Sequence, residues 1–191
     1  MKKVFMVVFS VILLSACSSD DEDTNPSPNG SGDGQNASGT GLIGSWGLTD
    51  LRVTSTSTTF GFETVTQISG TNYNYNLMFE ESSFSANGSY DVNLSSRLNG
   101  VEVFSTQQSI ENANVTGDYT STDNTITSSG GLFNISVNGS DLTQSSVSQT
   151  ANYEINGSGN LVITQLLDVD TVINQVSTQI SVSSNSTWGR K

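Results

Sequence analysis

Apolar and polar residues alternate with period two through much of the chain. Tyr73, Tyr75, Leu77 and Phe79 share one parity, with Asn74 and Asn76 between them. Tyr90, Val92 and Leu94 alternate with Asp91 and Asn93, and Phe133, Ile135 and Val137 alternate with Asn134 and Ser136. Tyr153 and Ile155, Leu161 and Ile163, and Ile180 and Val182 continue the pattern. Successive side chains of a strand point to opposite faces, so this alternation predicts short strands buried on one face. No long stripe of period 3.6 appears and alanine is scarce, so helices are not expected. Asn87-Gly88, Asn99-Gly100, Gly130-Gly131, Asn138-Gly139 and Asn156-Gly157 fall between the runs. Asn-Gly tolerates positive φ at both central positions of a two-residue hairpin, and these pairs are therefore predicted as turns.

The expected fold is all-β. An antiparallel up-and-down meander of about eight strands would close into a barrel, with a two-sheet sandwich as the alternative. On closure, Tyr75, Leu77, Phe79, Tyr90, Val92, Phe133 and Ile135 are expected to face inward. An eight-stranded interior is either filled by side chains or holds one small ligand. These residues therefore read as packed core or as the lining of a cavity for a small hydrophobic molecule. Short strands and few other apolar reserves favour packed core.

The alternation is absent from the first 40 residues. Met1-Lys2-Lys3 is positively charged, and Val4 to Leu14 is apolar except for Ser10. The run is shorter than the roughly 20 apolar residues a spanning helix needs, but it suits a secretory signal. Small residues Ser15 and Ala16 then precede Cys17, the only cysteine. Leu14-Ser15-Ala16-Cys17 resembles the lipobox of bacterial lipoproteins. That resemblance implies a signal peptide over 1–16, cleavage before Cys17, and a diacylglycerol thioether with N-acylation at Cys17. The membrane would then be a partner through the lipid on Cys17. Ser18 after the cysteine resembles the sorting pattern for the outer membrane. Asp20-Asp21-Glu22-Asp23 resembles the export signal of surface lipoproteins of Bacteroidetes type, although a charge run is commonly a solvated spacer. Residues 17–40, with Pro26 and Pro28 among Ser, Gly and Asn, are expected to form a disordered tether. One domain follows over 41–191.

Composition then removes whole classes of chemistry. The 191 residues include no histidine, 6 Lys+Arg and 18 Asp+Glu, for a formal charge of -12. Triads and dyads that need histidine, and metal sites ligated by it, are impossible within the chain. The acidic balance argues against nucleic acid, whose binding relies on clustered Lys and Arg. Loss of Lys2 and Lys3 with the signal leaves 4 basic and 18 acidic side chains, or -14. One cysteine allows no internal disulfide.

Candidate chemistry among the carboxylates is sparse. Glu80 and Glu81 are neighbours and would point to opposite faces of a strand, which favours a surface role. Asp168 and Asp170 could share a face as oxygen ligands for calcium, but two carboxylates beside Leu166, Leu167 and Val169 suit a solvated turn better. Asp170-Thr171-Val172 resembles a short O-glycosylation motif of exported Bacteroidetes proteins. No catalytic residue, metal or cofactor is implied, and a non-enzymatic monomer is expected.

The ends of the domain carry a further resemblance. Gly44-Ser45-Trp46 heads a strand that continues through Leu48, Leu51 and Val53, and the chain closes with Trp188-Gly189-Arg190. Gly-x-Trp at the start and Arg at the end resemble the signature of lipocalins, and more closely the short lipocalin-like domains of Bacteroidetes lipoproteins. The other lipocalin motifs, the disulfide and the long helix after the last strand are absent. The resemblance implies a barrel in which Trp46 closes one end and Arg190 packs across its ring. It also implies a lipid-anchored outer-membrane or cell-surface protein that binds a small hydrophobic ligand. The alternative is a structural or adhesive surface protein with no ligand cavity.

Overall fold

The computed structural model describes residues 41–133, 136–137, 140–141, 148–173 and 176–191. The described residues belong to one compact unit. Cys17 and Ile135 lie outside the described residues.

Eight strands close into an antiparallel barrel. They are β1 (Gly44–Thr59), β2 (Phe62–Phe79), β3 (Ser83–Leu98), β4 (Val101–Ser121), β5 (Thr125–Ser128), β8 (Gln149–Ile155), β9 (Leu161–Ile173) and β10 (Val176–Arg190). The short pair β6 (Ser136–Val137) and β7 (Ser140–Asp141) stands apart as a two-stranded sheet. Around the ring the order is β1-β10-β9-β8-β5-β4-β3-β2, so chain neighbours pair except where β5 meets β8 across β6 and β7 and where β10 returns to β1. That last ladder runs from Trp46 opposite Arg190 to Thr59 opposite Thr178. No sandwich forms, because this pairing joins the two sheet edges that a sandwich would leave free.

The strands are longer than the aromatic alternation indicates. β4 has 21 residues and β2 has 18. Their extensions are rich in Ser, Thr, Asn and Gln, which satisfy a ladder through the backbone without an apolar face to mark it. The turns differ as well. Asn99-Gly100 joins β3 to β4, with positive φ at both residues. Asn87-Gly88, by contrast, lies within β3, opposite Asn76 and Tyr75. Gly88 has φ 128°, and a Cβ there would sit 2.0 Å from the Asn74 carbonyl oxygen. Glycine at this position therefore permits close strand approach beside a bulge rather than a reversal. The missed reversal is Phe60-Gly61, where both residues have positive φ. Phe133 falls outside any strand, contrary to the alternation around it.

Tyr73 departs from the parity it shares with Tyr75. The β1–β2 ladder breaks between Gly47 and Arg52, and β2 bulges near Asn72, whose φ is 52°. The Leu51 N–H, without a strand partner there, donates to the Tyr73 hydroxyl at 3.0 Å. A side chain thus repairs the hydrogen bond that the bulge removes.

The ring has two unlike ends. The Glu80–Ser82, Thr122–Asn124 and Asn156–Asn160 turns lie at the same end as Gly41 and Arg190. The Phe60-Gly61 and Asn99-Gly100 tips lie at the other. The wall is also uneven. β5 pairs with β4 only through Tyr119–Ser121, and β8 pairs with β9 only through Asn152–Ile155. The described ladders on that side lie toward the first end.

Candidate functional site

The end that holds both termini of the barrel is filled. Trp46 is fully buried, and its indole N–H donates to the Leu42 carbonyl at 2.8 Å. The guanidinium carbon of Arg190 lies 5.0 Å from the centre of the Trp46 ring. Arg190 also donates to the carbonyls of Gly41 at 3.3 Å and Ile43 at 3.1 Å. One cation thus covers an aromatic face and caps two carbonyls of the segment that enters β1. Gly44 makes this arrangement possible: its φ is 132°, and a Cβ would lie 3.4 Å from the Arg190 Nη2 atom. The chemistry of the Gly-x-Trp…Arg set here is structural closure.

Tyr75, Leu77, Phe79, Tyr90 and Val92 are all buried. Phe79 meets Tyr119 edge-on with centroids 4.9 Å apart, toward the filled end. Further in, Trp188 stacks on Phe133 at 5.5 Å, and Tyr75 lies 5.1 Å from Tyr90 and 6.0 Å from both Phe133 and Trp188. These rings form a floor across the barrel. Trp188 stands in the sequence as part of the terminal motif, and its even parity with Ile180 and Val182 is the signal of its place in the floor. Trp188 donates to Ser186 at 2.9 Å, and the Tyr75 hydroxyl donates to the Leu132 carbonyl at 3.1 Å. The Tyr90 hydroxyl is buried and has no hydrogen-bond partner among the described residues. Desolvation raises the pKa of both Tyr75 and Tyr90 well above the ordinary phenol value.

Beyond the floor the inward parity changes character. Register from Leu51 and Trp188 places Ser55, Ser57, Thr59, Thr66, Ser96, Thr178 and Ser184 inside, with Val53, Ile180 and Val182 among them. Thr66 and Ser96 share a hydrogen bond of 2.9 Å, and Thr59 and Thr178 one of 3.1 Å. Pairing between hydroxyls makes these inward polar groups tolerable. Ser55, Ser57, Thr66, Phe104, Thr106 and Gln108 are only half-buried although they face inward. Ser96 and Thr178 are buried, so the far half is less tightly packed than the near half without being uniformly exposed.

The carboxylates lie elsewhere. Glu80 and Glu81 are exposed at the β2–β3 turn, where the Ser83 hydroxyl donates to the Glu80 carboxylate and the Tyr119 hydroxyl donates to its carbonyl at 2.6 Å. Asp168 and Asp170 pair with Ser181 and Gln179 within the β9–β10 ladder, so they occupy a strand and not a turn. Asp168 lines an outward depression of about 430 Å³ together with Thr56, Thr58, Gln179 and Ser181. This depression is on the outer surface and is unrelated to the interior. Thr171 lies in β9, with its side chain outside the described set. Among the described residues, no group of three or more His, Cys, Asp or Glu could hold a metal ion. Comparison of the chain with family models, curated proteins and solved structures finds no match.

Proposed function

We propose that this chain is a lipid-anchored lipoprotein of the outer membrane or cell surface whose lipocalin-like barrel takes up a small hydrophobic ligand through its far end. The observation that carries the ligand reading is the contrast along the barrel axis. Aromatic rings and the Arg190 cap fill one end, while in the other half the inward Ser55, Ser57, Phe104, Thr106 and Gln108 are only half-buried. A barrel filled at one end and less tightly packed at the other suits a small molecule, with a few polar groups to fix orientation. Leu14-Ser15-Ala16-Cys17 supports the anchor. The reading assigns no catalysis, in keeping with the lack of histidine.

Native mass spectrometry of the purified protein, with organic extraction of what it carries, tests the ligand. A co-purifying small amphiphile, or saturable uptake of a fluorescent fatty acid with quenching of Trp188, is the expected result. A clean apo mass together with no saturable uptake would sink the ligand reading and leave a structural or adhesive barrel. Palmitate labelling of the wild type, lost in Cys17→Ala, tests the anchor; equal labelling of both would refute it.

A further inference from the structure

Two neighbouring hairpins at the far end expose apolar side chains that the fold does not use. Phe60 is 75% exposed and Phe62 57% at the β1–β2 tip; Val101 is 68% and Leu98 40% at the β3–β4 tip. The tips are tied together, because Glu63 N–H donates to the Asn99 side chain at 3.0 Å and Asn99 N–H donates to the Glu63 carbonyl at 2.8 Å. Phe62 lies two residues from Thr64, which pairs with Leu98, so Phe62 and Leu98 share the face that borders the opening. Phe60 has φ 53°, a left-handed conformation that Gly or Asn adopts at lower cost. Among the described residues, neither burial nor backbone preference accounts for a phenylalanine there, which points to contact beyond the described fold.

We infer that this rim docks on a lipid bilayer, with Phe60 and Phe62 in the interfacial layer and the mouth of the barrel against the membrane. The inference rests on the lipid-anchor reading, and three features favour a bilayer over other occupants. The described chain leaves the barrel at the opposite end, at Gly41, and 24 residues separate Cys17 from Thr40 inclusive. Fully extended they reach about 80 Å, at 3.3–3.6 Å per residue. The 18 residues of β2, tilted as barrel strands are, span roughly 45 Å along the axis. A tether anchored in the membrane can therefore pass the barrel and let its far end face the same bilayer. Secondly, four side chains exposed by 40–75% make a rim too small for the roughly 800 Å² per partner of a stable interface between two copies. Thirdly, Phe62 and Leu98 lie on the inward parity at the rim, next to the half-buried part of the interior, so an apolar ligand leaving the bilayer would meet apolar side chains at the barrel's edge. Glu63, Arg97 and Glu102 are the charged residues on these tips, a net charge of -1. Docking is thus apolar rather than electrostatic, and suits zwitterionic lipid.

The test uses the full chain purified from bacterial membranes and mixed with phosphatidylcholine–phosphatidylethanolamine vesicles. Phe60→Cys and, as a control at the filled end, Ser158→Cys carry an environment-sensitive dye. Flotation with vesicles, a blue shift and protection from iodide at position 60 but not at 158, and loss of that shift on adding Phe62→Ser, are expected. Raising the salt should leave the shift unchanged. Flotation with a silent dye at position 60 overturns docking while the anchor stands; no flotation overturns both. A shift already present without vesicles would mean that a second copy covers the rim, and equal shifts at 60 and 158 would mean sideways adsorption. Either result also overturns the inference.

Discussion

The closed end offers the most direct test of how this barrel is held together, because one side chain joins its first and last strands. Arg190→Met keeps the aliphatic stem but removes the cation over Trp46 and the donors to Gly41 and Ile43. A cation–π contact at an accessible site contributes about 0.5–1 kcal/mol. Two charge-assisted bonds of 3.1 and 3.3 Å would contribute about 1.5–3 kcal/mol each if well enclosed. Arg190 is exposed, and solvent screening reduces each of these bonds to about 0.5–1 kcal/mol. The expected loss is therefore roughly 1.5–3 kcal/mol, or a fall in Tm of roughly 3–10 °C for a domain of this size. Urea unfolding followed by tryptophan fluorescence supplies the free energy. Trp46→Leu removes the ring and allows a double-mutant cycle. In the Trp46→Leu background, Arg190→Met should cost about 0.5–1 kcal/mol less than in the wild type. Arg190→Lys should fall between, since an ammonium cannot fork to both carbonyls. An Arg190→Met variant within about 0.3 kcal/mol of wild type, or a cycle with no coupling, would refute the closure argument.

Other predictions follow from backbone contacts and burial. Gly88→Ala should destabilise by about 3 kcal/mol or more, because it combines a strained φ with a clash against backbone; Gly157→Ala, in open space, should change stability by less than about 0.5 kcal/mol. Thermal melts of the two variants decide this, and similar costs would contradict the bulge assignment. Tyr90→Phe should be neutral or stabilising in urea unfolding, since it removes a buried hydroxyl with no partner among the described residues. All five tyrosines have raised pKa values, chiefly through desolvation. A raised folded pKa gives stability that is fully present below about pH 10 and is lost as pH climbs toward the folded values. The strongly buried Tyr75 and Tyr90 should therefore stay protonated at about pH 10, and their share of the 295 nm absorbance rise should coincide with loss of the strand circular dichroism signal. Gradual titration centred on about pH 10 in the folded state would count against the burial.

The parts of this fold legible in the sequence are those where burial leaves a mark. Tyr75, Leu77 and Phe79 alternate with polar residues because one face of β2 meets the core, and all three are buried. Gly44, Trp46 and Arg190 stand out because an aromatic, a cation and a glycine sit at the two ends of the domain. Asn99-Gly100 is legible because its turn needs φ > 0 at both residues. Asn87-Gly88 carries the same dipeptide for another reason, namely that Asn74 comes too close for a side chain. A local motif records that glycine is needed, not which constraint needs it.

The far half is illegible for a physical reason. Ser55 and Ser57 face inward, whereas Thr56 and Thr58 line the outer depression, and the four residues are chemically alike. Where hydroxyls occupy both parities, alternation disappears although the ladder continues, so the strands look shorter than they are. Only the register to Ile68 and Val182, transmitted along backbone hydrogen bonds from the aromatic floor, tells inside from outside there. Phe60 is the converse case. Its hydrophobicity suggests core, yet it forms a turn with φ 53° and is exposed. Replacing it with Asn should raise stability by about 0.5–1 kcal/mol by relieving the left-handed strain. A gain in the urea midpoint would mean that folding does not select this phenylalanine, and a loss would mean that the ring packs on the rim and is not free for a membrane.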